Sequence, residues 1–269
     1  MRLQHRLMIA VFSLLVAPYA APSNAQGQSS GPGATSSQPH AAVLRQERGV
    51  ALEAAFLRFE YGRVGGETVG SIADATAIQW ALDWQLAMLE KHGNPSFIAS
   101  GYALNLWRAQ QLNSQFKDSA AIWLLTTLYL IEVKGLECED QTSPVERRSQ
   151  FLGALPVEMK AYVDTLSGHS WNQTASLALM LASNPLVTSA PGDDWLCRAG
   201  AAAFAWQGGV DPATAGAPPD LALAARVSAT RKREDYRPTF REKGWFRAAA
   251  AEKTQSIAQR INAETARRK

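Results

Sequence analysis

The chain is poor in the residues that most often carry chemistry. Its 269 residues include only two cysteines and four histidines. Two thiols cannot build a disulfide-dense scaffold or a four-thiolate zinc site. Alternating runs of β-branched residues are missing, which argues against a sheet fold. No sign of charge dominates: 27 Lys and Arg face 24 Asp and Glu, a formal net charge of +3. With 46% hydrophobic residues the chain is not disordered as a whole, and 19 glycines and 13 prolines exclude collagen-like and proline-rich classes. The sequence has no phosphate-cradling glycine loop, no His-Glu-x-x-His, no EF-hand loop and no Gly-x-Ser-x-Gly elbow. Neither a nucleotide nor a metal or other cofactor is therefore expected.

The clearest positive signal is at the N-terminus. Arg2, His5 and Arg6 form a basic region, and Leu7 to Val16 is an apolar core of ten residues. Ser23-Asn24-Ala25 places small side chains at positions −3 and −1 of a cut before Gln26. Ten residues are about half of a bilayer-spanning helix, so residues 1–25 read as a cleaved secretory signal of bacterial type. No cysteine flanks the cut, which disfavours a lipoprotein anchor. The expected location is periplasmic or secreted, with no transmembrane helix after cleavage, and that compartment disfavours nucleic acid as a partner. Residues 26–40, rich in Gly, Ser, Gln and Pro, cannot bury enough apolar area to offset their ordering entropy and read as a disordered tether.

From Ala41 the apolar spacing turns helical. Leu52, Ala55, Phe56 and Phe59 share one face, and Gly65-Gly66 is expected to break the run. A second helix spans about Asp74 to Lys91, with Ile78, Leu82, Leu86 and Leu89 on one face and Trp80, Trp84 and Met88 on another. His92-Gly93-Asn94-Pro95 ends it. A third is expected over Ser96 to Gln115, with Ile98, Tyr102, Leu106 and Trp107 inward. Asp118 then caps a fourth whose Ala120–Ile131 stretch is apolar nearly all round. Those twelve residues rise about 18 Å, short of a bilayer core, which marks a central buried helix. Further helices fit Ser143–Leu152, opened by a Ser-Pro-Val-Glu capping box, and Pro156–Leu166, Ser170–Ala182 and Asp193–Trp206. The expected fold is all-α: a compact multi-helix bundle or stacked helical hairpins of about eight or nine helices. The helical domain is 41–207, the Gly/Pro-rich stretch 208–219 a linker, and 220–269 a basic helical C-terminal segment.

In an exported chain Cys138 and Cys197 read as one disulfide joining the end of the buried helix to the start of a later one. Glu137, Glu139 and Asp140 beside Cys138 would suppress its thiolate, which argues against a reactive thiol. These acids could hold a hard cation or act as a general acid, although closely spaced carboxylates at a helix end are usually a solvated face. Three histidines remain after the signal: His40 in the tether, His92 in a helix stop and His169 in a loop before a helix cap. The tryptophans at 80, 84, 107, 123, 171, 195, 206 and 245 could line a ligand groove, but most sit at core spacing. Asn172-Gln173-Thr174 matches a glycosylation sequon, of little meaning in a bacterial protein.

Charge is segregated along the chain. Residues 226–269 hold 13 Lys/Arg and 5 Asp/Glu, net +8; residues 26–225 hold 12 and 19, net −7. Arg231, Lys232, Arg233, Arg237, Arg241, Lys243 and Arg247 form a basic interaction patch, Glu137, Glu139 and Asp140 an acidic one. The basic helix either folds back on the acidic body or meets an envelope protein, an anionic membrane or a cell-wall polymer. The first functional expectation is an exported binding or scaffolding protein of the cell envelope without a catalytic site. The second is an inhibitor or immunity-type protein against an exported cell-wall enzyme. The third is an envelope hydrolase combining Glu137, Glu139 or Asp140 with His169.

Overall fold

The computed structural model describes residues 37–70, 74–190, 193–207 and 235–268. The leader, most of the tether, the linker 208–219 and the bases Arg231, Lys232 and Arg233 lie outside the described residues. The fold is all-α; among the described residues the extended backbone is limited to an isolated bridge between Cys138 and Phe240. Two compact units divide the chain at Arg48/Gly49. The described residues of the first belong to helix α1 (Ser37–Leu57). This helix starts inside the expected tether, because a proline is tolerated in the first helical turn, where its missing N–H has no intrahelical partner anyway.

Within the second unit the order is α2 (Tyr61–Gly65), running on as a π-helical turn over Gly66–Gly70, then α3 (Ala75–His92), α4 (Ser96–Ala109) and α5 (Gln115–Lys134). A 3₁₀ turn (Gly135–Glu137), α6 (Thr142–Ala154), α7 (Val157–Asp164), α8 (Gly168–Ala182), α9 (Pro185–Ser189), α10 (Asp194–Cys197), α11 (Gly200–Gln207) and α12 (Lys243–Arg267) follow. The break expected at Gly65-Gly66 falls earlier, at Phe59, whose φ of 66° puts it in the left-handed region. The helix expected over Asp193–Trp206 is two short ones. Gly200 separates them with φ 76°, and a Cβ there would meet the Ser143 backbone nitrogen at 2.6 Å, so only glycine suits the position.

α5 is the centre. Ala120 to Leu125, Tyr129, Leu130, Ile131 and Val133 are all buried, and the helix is packed by α4, α8, α12, α6 and α7. Thr126 and Thr127 sit in this core because their hydroxyls donate to the carbonyls of Ile122 and Trp123 at 2.8 Å, which satisfies buried polar groups within the helix itself. With its 3₁₀ extension the segment Gln115–Glu137 is long and apolar enough to cross a membrane, more than the twelve residues counted from sequence, and 83% of its most apolar window is buried in the fold. It starts before Asp118. Asn113 accepts from the Gln115 N–H at 3.0 Å, while Asp118 accepts from the Tyr162 hydroxyl.

The termini of α3 follow the expected chemistry: Asp74 accepts from the Ala77 N–H at 2.8 Å, and Gly93, at φ 67°, closes the helix through Leu89 O. Ile98, Tyr102, Leu106 and Trp107 of α4 are buried as their spacing predicts. α4 stops at Ala109 rather than Gln115, where the sequence turns to Gln-Gln-Leu-Asn and the apolar period ends.

The C-terminal segment is not a separate body. α12 packs on α8, on α5 and on the 3₁₀ turn, burying Phe246, Ala250, Ile257 and Ile261 along one side. At its far end the Arg268 guanidinium donates to the carbonyls of Val163, Asp164 and Leu166, each at 3.1 Å, which closes the C-terminus of α7. Its ion pair from Arg260 to Glu132 leaves Arg260 exposed, so apolar burial rather than charge holds α12 down. Phe246→Ala should therefore cost about 3–5 kcal/mol in denaturant unfolding, and Ile257→Ala about 2–5. Arg260→Ala should cost under about 1 kcal/mol; a loss at Arg260 equal to that at Phe246 would mean that charge does the docking.

Candidate functional site

The two cysteines and the acids of 137–140 meet at one junction, where the chain leaves α5. Cys138 follows the 3₁₀ turn and is joined to Cys197 at the end of α10, with their Cα atoms 5.3 Å apart and both side chains buried. Polar ties surround the bridge. Asp140 accepts from the Thr142 N–H at 2.9 Å and from the Ala202 N–H at 2.8 Å, so one carboxylate caps α6 and the start of α11. Ser143, expected to cap α6, does not: its hydroxyl donates to Leu196 O and accepts from the Ala199 N–H, both at 2.7 Å, which fastens α6 to the α10–α11 corner. Asp193 accepts from the Ser96 N–H at 2.7 Å and from the Leu196 N–H at 3.3 Å. Arg198, nearly fully buried, pairs with Asp194 at 2.8 Å and lies over the Phe59 ring.

The acidic trio is therefore not a solvated cluster. Glu139 is exposed, Asp140 is committed to caps, and Glu137 is only 7% exposed, with Lys134 one turn back at 1%. Glu137 Oε2 has no hydrogen-bond partner. Burial pushes its carboxyl up from the ordinary 4.5 to about 7. The Lys134 ammonium opposes that shift, the Asp193 carboxylate adds to it, and the Asp193 N–H and Lys243 oppose it. Among the described residues no group of three His, Cys, Asp or Glu side chains could hold a metal ion.

Over this junction runs the strap that leads into α12. The Arg241 N–H donates to Glu137 O at 2.8 Å, and the Glu139 N–H donates to Thr239 O at 3.2 Å. The basic candidates of this region divide by exposure. Arg237, Lys243 and Arg247 are exposed, while Arg241 is half-buried with its guanidinium 4.5 Å over the Trp245 ring.

The histidines stay apart from the acids. His169 is exposed in the first turn of α8, not in a loop; Gly168 beside it faces the backbone of Thr265. Glu137 meets the opposite end of α12, at Arg241, so the intervening 24 residues of mostly helical chain put the acid and the histidine about 35 Å apart along its axis. They cannot share a substrate. His92 instead faces Glu53 at 2.9 Å, and Lys91 reaches the same oxygen at 2.7 Å and holds the Glu53 carboxyl below its ordinary range. The His40 side chain lies outside the described residues. Of the tryptophans, Trp107, Trp123 and Trp195 are buried and Trp80, Trp84, Trp171 and Trp206 half-buried, as core spacing predicts; Trp245 is exposed. A cleft of about 360 Å³ between α8 and α12 is lined wholly by uncharged side chains, among them Ser176, Met180, Thr254 and Asn262.

Sequence reasoning missed Lys134, Ser143 and Asp193 as parts of the junction. Their contacts join residues up to 97 positions apart, and only Gly200, between two short apolar runs, carried a local signal. Comparison with protein-family models, curated proteins and solved structures finds no match.

Two measurements probe the junction. Replacing both Cys138 and Cys197 by alanine opens a loop of 59 residues and should lower unfolding free energy by about 4 kcal/mol. For Glu137, the folded state keeps its proton between pH 4.5 and about 7 while the unfolded chain releases it. Stability should accordingly fall as pH rises through that window, by at most about 3 kcal/mol. Glu137→Gln should flatten this dependence; unfolding curves that stay parallel to the parent from pH 4 to 8 would show that Glu137 titrates normally.

Proposed function

We propose that this protein is an exported, periplasmic helical binding or scaffolding module of the cell envelope. The observation that carries the reading is the pairing of a leader-like N-terminus, Arg2 to Ala25, with a buried Cys138–Cys197 bridge at the structural junction. A disulfide built into the core of a fold suits an oxidising compartment. The polar residues most able to do acid–base chemistry, Asp140, Asp193 and Ser143, are spent on helix caps and ties, and Glu137 and His169 lie at opposite ends of α12. That distribution supports a surface that binds over one that turns over a substrate. Inhibition of an exported cell-wall enzyme is a special case of the same reading.

The test is fractionation with thiol alkylation. The protein should be recovered outside the cytosol with Gln26 as its N-terminal residue by mass, and with both thiols resistant to alkylation until a reductant is added. Loss of a wall hydrolase's activity on adding the purified protein would select the inhibitor form. Recovery of the uncleaved chain from the cytosol, with both cysteines freely alkylated, would overturn the reading.

A further inference from the structure

The large exposed hydrophobic side chains among the described residues are aliphatic or Met with two exceptions, Phe240 at 37% and Trp245 at 45%. These two aromatics lie five residues apart in the chain, one in the strap and one in the first turn of α12, whereas of the others four lie on α1 and the rest are spread over other elements. Bases accompany them: Arg241 lies on the Trp245 ring, Lys243 and Arg247 are exposed nearby in the chain, and Arg237, although exposed, lies over the Phe59 ring. The exposed carboxylates Asp235, Glu139 and Glu242 border the corner and leave its four bases a net charge of +1. The wider excess is larger, since residues 226–269 carry 13 bases against 5 acids.

The corner is held rigid. Phe240 is bridged to Cys138, Arg241 bonds Glu137 O, and Phe246, next to Trp245, is buried. Two aromatics and four bases are too few for a stable protein interface, which needs about 800 Å² from each partner. They do fit the boundary of a lipid bilayer. There an indole or phenyl ring seats at headgroup level and Arg or Lys meets lipid phosphate, and a preformed corner has little ordering cost to meet on binding.

We propose that the Phe240–Arg247 corner is a docking site for anionic lipid headgroups, such as those of phosphatidylglycerol. This deepens the envelope-binding reading and rests on it for its biological setting. The test uses the exported form beginning at Gln26, which contains the whole compact unit Gly49–Lys269, in co-sedimentation with phosphatidylglycerol–phosphatidylcholine vesicles and with phosphatidylcholine alone. Binding should need the anionic lipid and weaken with salt. Trp245→Ala and Arg247→Glu, both at exposed positions, should each lower partitioning about fivefold or more. Arg267→Glu reverses one charge at the other end of α12 and should leave binding within about twofold.

Absence of binding to anionic vesicles overturns the proposal. So does an Arg267→Glu loss equal to that at Arg247, which would reduce the effect to net charge, or parent-like binding by Trp245→Ala. Retention of the corner by an acidic envelope protein, with vesicles ignored, overturns it in favour of a protein partner. The two readings fail separately. A chain confined to the cytosol that still binds these vesicles refutes export and keeps the corner; an exported chain that ignores them does the reverse.

Discussion

A helix that is apolar on every side has no face to give to water, and α5 imposes that condition on the rest of the molecule. A one-sided helix could be satisfied by one partner. α5 needs a sheath, which α4, α8, α6, α7 and the C-terminal α12 supply between them. Each of these contributes a stripe to the centre and keeps its charges outward, which is why the surrounding helices read as amphipathic while α5 does not. Thr126 and Thr127, polar residues in the middle of α5, are answered within the helix by its own carbonyls.

The polar ties of that arrangement concentrate where α5 ends. The chain must turn out of a dry core within a few residues, and Lys134 and Glu137 are carried into the interior by the turn. The disulfide, the Asp140 and Asp193 caps and the Ser143 tie all gather there, each joining segments distant in sequence. At the same point two buried oxygens, Glu137 Oε2 and Ser96 Oγ, have no hydrogen-bond partner. A buried carboxylate is costly while it remains ionised, so the junction is both heavily cross-linked and a place where Glu137 ties stability to proton concentration.

Periodicity and composition made the helical class, the inward faces of α3 and α4, the burial of α5 and the cysteine pairing legible, because each is a local or compositional property. The boundaries that failed did so for tertiary reasons. Asp118 looks like a cap, but Asn113 takes that task and Asp118 receives the Tyr162 hydroxyl. Ser143 has the capping signature, yet it is drawn away to Leu196 O and the Ala199 N–H. Charge counting showed opposed blocks without showing what joins them. Four buried apolar residues on α12, spaced over 15 positions of a mostly polar helix, do that work, and such a narrow stripe is weak as a sequence signal. Of the candidate patches, Glu137 and Asp140 went into the junction and only Glu139 stayed exposed, whereas Lys243 and Arg247 stayed outward and Arg237 and Arg241 lie over aromatic rings.

Covering α5 with a helix that comes much later in the chain has a consequence for how the molecule is made. A polypeptide emerging from its N-terminus, whether from a ribosome or through a translocation pore, presents α5 on the order of a hundred residues before the lid for it. Until α12 arrives, one side of the buried central helix is bare. A chain cut short before residue 243 is thus not a trimmed version of this protein but one with its core left open, prone to stick to whatever apolar surface it meets first.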